Sequence, residues 1–479
     1  MKTGNLTRVT IFAVGVTAFS LYAATAAPGL TWENFGVDGG ELMTAAATLG
    51  VPHPPGYPTY VILGKLFSFL PIGTIAFRFN LFSAFCTAVA AGFVTATAVS
   101  LSASHTNRTN ALPAAAAAGL SFAFAPLVWS QATIAEVYGL NLAVLAILLW
   151  ALVTERSPFL IGVLFGLSLT THITSLFFAP LVLLHTKKQG RKLFASWFVS
   201  WLVSWFVGLL VGLLPYLLIF LLARSNSPIV WGNADTVSGW WWLVSGQAYR
   251  GYLFALPSPE AGSRLLTWGW ALLNQLTLLG VPLLAAGGYA QWHSGRKGKK
   301  WVLGVVATAV PLTVYAFGYN TADAIILLLP VILVSTLLLI PALQTVGKPA
   351  LLLPLGLLLL NFNSQNLHNS DDFGRRGMDL LSALPPHALV ITPGDATIFT
   401  LWYVQYIEDV RPDIILVDSE LFAFDWYRQQ IQQAHPTLTA LSQNDPDIFG
   451  AANSSSQPIC TVSLAEPTLS AQIERCMPQ

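Results

Sequence analysis

Eleven apolar stretches decide what this chain can fold into. They lie near 9–27, 79–101, 111–129, 137–153, 158–171, 173–186, 195–223, 265–290, 301–317, 323–343 and 349–361. A helix needs roughly 20 apolar residues to cross a bilayer. Backbone in lipid must satisfy its own hydrogen bonds, so such stretches form helices packed in membrane. Composition agrees: 54% of the 479 residues are hydrophobic and 9% are charged, against about 25% charged in a soluble globular protein. The expected fold class is an α-helical polytopic membrane protein of about 11 transmembrane helices. The fifth and sixth stretches are short and meet at His172, as in a broken pair or a re-entrant hairpin. The first follows Lys2 and Arg8 and ends in small residues, like a signal peptide. An uncleaved first span is the favoured reading, because further spans follow it.

The basic residues set the orientation. With the N-terminus inside, the inner segments hold Lys2, Arg8, Arg108, Arg156, the clusters at 187–192 and 296–300, and Lys348. The outer connections before the tail hold only Lys65, Arg78, Arg224, Arg250 and Arg264. Acids run the other way, with Glu33, Asp38, Glu41, Glu136, Asp235, Glu260 and Asp323 outside and only Glu155 inside. Acids contribute little to topology, so their gathering on the outer face points to chemistry there. A net charge of +1 gives no sign of a nucleic-acid partner. The 16 tryptophans suit rings that sit at membrane interfaces.

Eleven spans from an inside start leave 362–479 outside, as a small extracytoplasmic α/β domain after a transmembrane domain of 1–361. The tail carries fourteen acids and five basic residues. "HALVITPGD" reads as strand and turn, "ATIFTLWYVQYIED" as an amphipathic helix, "RPDIILVDSE" as a second strand and "DWYRQQIQQ" as a second helix. From His435 onward the Ser-, Asn-, Gln- and Pro-rich composition predicts a loosely ordered end. Cys460 and Cys476 pair if the tail faces an oxidising compartment and are free thiols otherwise. Cys86 lies in an apolar run and is expected to be inert.

The first outer loop is the unusual segment. Asp38 and Glu41 are three apart, on one face at the positive end of a short helix. Residues 52–58 break that helix with four prolines around His53 and Tyr57. A second short amphipathic segment carries Lys65, and Arg78 precedes the next span. Two juxtamembrane helices pressed on the bilayer are expected, with Ala45, Ala46 and Leu49 on its surface. Each residue also has a plainer reading. Asp38 serves as an N-cap, Glu41 as its capping-box partner, and His53 as a turn histidine bonded to backbone. Their combination with Arg78, Glu136 and Asp323 on one predicted face favours a site.

These segments resemble a known family. "DGGELMTAAATLGVPHPPGYPTYVILGKLFSFLPIG" with "FRFN", then "VWSQATIAEVYGLNL", "GQAYRGYLF", "PGDATIFTLWYVQYIEDVRPDIILVD" and "FDWY", are similar to blocks of a membrane family once catalogued as a domain of unknown function. Its animal relative is a protein O-mannosyltransferase acting on plexin-type receptors. Two departures stand out. Gly39-Gly40 fills a place where relatives often carry serine, and Ala396-Thr397 follows the tail Gly-Asp where many have Asn-Asp. The wider resemblance is to the C-type glycosyltransferase superfamily (GT-C), which implies an acid in the first outer loop, two juxtamembrane helices and a lipid-phosphate-linked sugar donor.

The physical requirements of that reaction suit the loop. Transfer to a hydroxyl needs a base on the hydroxyl and cations on the leaving phosphate. Asp38 is the expected base, since a carboxylate desolvated at an interface gains basicity. Glu41 is an alternate base or acceptor-orienting group. His53, Arg78 and Arg250 are the expected phosphate contacts. Tyr57, Glu136, Tyr138, Asn320 and Asp323 are expected in the cavity or on the acceptor. His172 reads as a satisfied helix-break histidine, and Trp240, Trp241 and Trp242 as headgroup anchors. Gly394-Asp395 reads as a turn and helix start in a domain that docks acceptor. No metal or other cofactor is expected, although the loop carboxylates suit a divalent cation. The expected partners are a polyprenyl-phosphate sugar, a protein or glycan acceptor and membrane lipids. The alternatives are a transporter or lipid-linked sugar flippase, and a sensor or scaffold. Against transport, no inverted repeat is evident and the charges gather on one face rather than at the midplane.

Overall fold

The structure, a computed structural model, describes residues 2–102, 110–185, 194–466 and 468–477. Arg108 and the basic cluster at 187–192, used above for orientation, lie outside the described residues. Helical structure falls at each of the eleven apolar stretches. Among the described residues, five helices are long and apolar enough to cross a membrane, or seven if each of two bent pairs is one span. The bent pairs are Ala111–Ala123 with Pro126–Ala132, at 64°, and Ser258–Asn274 with Thr277–His293, at 82°. The first break has a local cause. Ala125 takes extended geometry (φ −61°, ψ 129°) before Pro126, as the residue preceding a proline is driven to do. Tyr138–Val153, Pro158–Thr171 and Ile173–Leu184 are shorter apolar helices.

One helix pair shows how the membrane part packs. Pro158–Thr171 lies against Phe194–Leu213, and each carries two glycines four apart. A Cβ added at Gly162 would stand 2.1 Å from Trp205 O, and one at Gly212 would stand 2.2 Å from Val163 O. The two backbones are in contact, the close approach that small residues permit between helices in lipid.

The first outer loop opens with a 3-10 turn, Glu33–Asp38, followed by helices Gly39–Thr48 and Pro58–Ser68. The second helix exposes Ile62 and Leu66, with Phe69 exposed just past its end. The first departs from the interfacial expectation. Ala45 and Ala46 are fully buried, because this helix is sandwiched between Gly64 of its neighbour and a helix of the tail.

The tail carries regular elements along its described length. Strands β1 (Leu389–Thr392), β2 (Ile415–Asp418), β3 (Ile459–Val462) and β4 (Ile473–Met477) form one sheet in the order β2-β1-β3-β4. β1 runs parallel to both β2 and β3, and β4 is antiparallel to β3. Helices Phe373–Ala383, Asp395–Tyr406, Asp425–Ala434 and Pro446–Asn453 cover it. The two strand–helix units expected between 387 and 434 are present. Beyond His435, β3 inserts beside β1 with Ile459, Cys460 and Val462 buried. Cys460 and Cys476 face each other in the β3–β4 register and form a disulfide. The boundary drawn at 361/362 falls inside helix Leu352–Gln365. One apolar core runs from the first-loop helices through residues 229–243 into the tail sheet, so the tail is packed onto the membrane part.

Candidate active site

The loop that carries the acids is held in a costly conformation. Asn34 and Phe35 take left-handed backbone (φ 57° and 65°), a strain of about 1–3 kcal/mol each for non-glycine residues. Gln131 Nε2 donates to Asn34 O at 2.8 Å and fixes the turn. Asp38 follows at the N-cap of helix Gly39–Thr48, yet its side chain makes no capping bond. The carboxylate lines the cavity instead.

Glu41 does not act as a capping partner. It is fully buried and grips His53 twice. Oε1 accepts the His53 backbone N–H at 2.9 Å and Oε2 lies 2.5 Å from Nδ1. The imidazole is thereby turned so that Nε2 faces Asp38 Oδ2 at 3.7 Å. Tyr57, itself left-handed (φ 37°), packs edge-on against the His53 ring at 5.2 Å.

This group opens onto a cavity of about 720 Å³ lined by Asp38, His53, Tyr57, Glu136, Tyr138, Arg250, Asp323 and Asp395, among others. Most of the expected site residues therefore meet in one place, from the first loop, the 133–138 turn, the 245–253 segment and the start of helix Ala324–Leu328. Three do not reach it. Glu41 stands behind His53 and does not line the cavity, so it positions the imidazole. Asn320 is bonded through its backbone N–H to Tyr252 O while its neighbours Tyr319 and Thr321 face the cavity. Arg78 spends its guanidinium on the carbonyls of Ser68, Ile72 and Gly73, which closes the loop after the second interfacial helix. The expected phosphate contact is therefore not made by Arg78, whose partners are loop carbonyls a few residues earlier.

The sequence did not mark Tyr249, Tyr252 and Tyr319, which form a ring chain beside Tyr315 and His53 with centroids 5.7–6.3 Å apart. Nor did it mark Asp395 as a cavity residue. His172 lines the cavity too, its Nδ1 2.7 Å from Thr174 Oγ1. The tryptophans divide. Trp240 Nε1 donates to Tyr216 O at 2.8 Å, whereas Trp242 packs on Phe424 and Trp426 of the tail.

The charges shape one another. Burial raises the Asp38 carboxyl; the His53 cation opposes this, while Glu41 and Asp323 add to it, and it settles at about 6. Burial alone would lower the His53 imidazole, but the charges of Glu41 and Asp38 and the Glu41 hydrogen bond outweigh it and push it up to about 10. Glu136, 4% exposed, is raised well above the carboxylate range by burial and then by Asp38. At neutral pH the site thus holds an imidazolium beside a carboxylate of raised basicity.

The fold is of a known class. A crystal structure of ArnT from Cupriavidus metallidurans bound to undecaprenyl phosphate superposes with a TM-score of 0.61, over 99% of this chain and 96% of that one, at 13% identity. The chain therefore shares the mostly helical fold of that protein, with a small C-terminal sheet. Its sequence relatives are more particular. Residues 38–192 match the model described as the Protein O-mannosyl-transferase TMEM260 N-terminal domain, and 373–444 match TMEM260-associated domain 2. The chain is 27% identical over 477 residues to the Protein O-mannosyl-transferase TMEM260 of Mus musculus and 23% identical over 483 residues to that of Dictyostelium discoideum. These alignments take in 89% and 85% of this chain. The chain spans 64% of the mouse protein's length and 57% of the Dictyostelium one. The resemblance read from the loop and tail blocks is to the same proteins.

Proposed function

We propose that the chain is an integral membrane glycosyltransferase that moves a hexose, such as mannose, from a polyprenyl-phosphate donor to a hydroxyl of a protein or glycan acceptor. The reading rests above all on the Asp38–His53–Glu41 arrangement at the wall of the cavity. Asp38 takes the acceptor hydroxyl's proton as that oxygen attacks the anomeric carbon. The bond from carbon to phosphate oxygen breaks, and the polyprenyl phosphate leaves with the electron pair. His53, held as imidazolium by Glu41, and Arg250 balance the charge growing on the phosphate. In-line attack inverts the anomeric centre.

The cavity's apolar side supports a lipid donor. Ile173, Leu176, Phe177, Leu253 and Leu327 line it, and Ile173, Leu176 and Leu253 are also open on the outer surface. Such a wall suits a polyprenyl tail whose phosphate meets the polar side. With one phosphate and two protein cations, no divalent metal is needed, and full transfer in excess EDTA is the expected result. The inner bias of basic residues supports a cytoplasmic N-terminus, and the Cys460–Cys476 disulfide supports an extracytoplasmic tail.

The test is incubation of the purified chain with labelled polyprenyl-phosphate sugars and a peptide or glycan acceptor. Transfer from one donor, lost in Asp38→Asn with donor binding kept, is expected. Lipid movement across vesicles without any acceptor labelling would refute the reading.

A further inference from the structure

We propose that the tail is a wall of the reaction cavity and that Asp395 binds the acceptor, taking a hydrogen bond from a hydroxyl or amide N–H beside the attacking oxygen. This rests on the glycosyltransferase reading above.

Asp395 lines the cavity together with Asp38 and His53, and the structure fixes it there from two sides. On one side, helix Asp395–Tyr406 lies against helix Gly39–Thr48. A Cβ on Gly40 would stand 2.3 Å from Phe399 O, so the backbones touch and only glycine fits. Trp32 Nε1 donates to Thr400 Oγ1 at 3.0 Å, and Ala76 N–H donates to the Tyr403 hydroxyl oxygen at 3.3 Å. On the other side, Gln430 Nε2 donates to Val230 O at 2.7 Å, and the Trp426 ring packs 5.4 Å from Trp231. The Gly39-Gly40 departure noted in the sequence is the means of this contact.

Other acids of the tail are engaged. Asp372 and Asp445 cap helices, Asp413 pairs with Arg411, and Asp418 accepts the N–H groups of Glu420 and Leu421. Among the described residues, the Asp395 carboxylate has no hydrogen-bond or ion-pair partner. Burial, then Asp38, Asp418 and Glu41, push it up to about 7 against the pull of His53. Such a carboxylate gains from any donor that reaches it. A donor phosphate is repelled by it and is matched by His53 and Arg250. That leaves the acceptor, whose hydroxyls and amides are donors, as its ligand.

The test uses the full chain in detergent with labelled polyprenyl-phosphate mannose and a Ser/Thr peptide. Loss of a charge-assisted hydrogen bond is worth about tenfold to a hundredfold in affinity. Asp395→Asn should raise the acceptor KM by about tenfold or more, with donor KM within about twofold of wild type. Asp395→Glu should recover part of the loss, and serves if the Asn variant fails to fold. An unchanged acceptor KM, or a rise in donor KM instead, overturns the inference alone. A wild-type chain that transfers from no polyprenyl-phosphate sugar overturns the underlying reading, and this one with it.

Discussion

Asp38 sits where helices take a cap and caps nothing. Its exposure, 39% of the side chain, is exposure to the cavity. Two opposed limbs should follow in kcat/KM. As a base Asp38 must be ionised, so the rate rises with pH through about 6. As a phosphate partner His53 must be protonated, so the rate falls as pH climbs through about 10. Asp38→Asn should remove the acid limb along with about 10²–10⁴-fold of rate, read in single-turnover transfer. Glu41→Gln is a sharper probe of positioning. The amide keeps the shape and loses the charge that holds His53 protonated. The alkaline limb should then move down toward the ordinary imidazole value near ~6.5, with binding of acceptor little changed. A merely structural Glu41 would leave the limb in place. The sequence could mark Asp38, Glu41 and His53 because twelve or so residues of loop bring them together. It could not show that Glu41 stands behind the histidine, since that depends on where the proline turn points the ring.

Among the elements, the membrane helices were legible and their partners were not. Hydrophobicity alone locates a helix in lipid, so Ile75–Ser102 and Arg296–Gly318 fall where the apolar stretches predicted. The partnership of Pro158–Thr171 with Phe194–Leu213 is written in four glycines, a weak signal beside so many apolar residues. Replacing Gly166 with leucine, where a Cβ alone would stand 2.4 Å from Leu209 O, should cost about 1–3 kcal/mol by overpacking. A lower melting temperature in detergent is the measurement. The second half of the tail was illegible for a different reason. β3 and β4 are short strands among Ser, Asn, Gln and Pro, and only their placement beside β1 and across the disulfide makes them strands. Helix Gly39–Thr48 was expected on the bilayer because its alanines look interfacial. Its real cover, the tail helix, lies hundreds of residues further on, beyond the reach of any local pattern.

At the scale of the molecule, the shared core ties the tail to the membrane part, and the disulfide braces the tail's own sheet edge. Cys460 and Cys476 are 16 residues apart, and closing a loop of that size contributes about 3 kcal/mol. A Cys460→Ser/Cys476→Ser double variant should therefore loosen the β3–β4 edge. Limited proteolysis should cut the tail near 463–472 much faster, while the helices that cross the membrane stay resistant. Equal cutting of both forms would mean that the bridge holds nothing in place.

The chamber around Asp38 borrows a side from a helix that is synthesised more than three hundred residues later. A ribosome that has delivered only the membrane helices has made Asp38 without that side of its cavity. The cavity is thus completed last, once Phe399 has come to rest on Gly40.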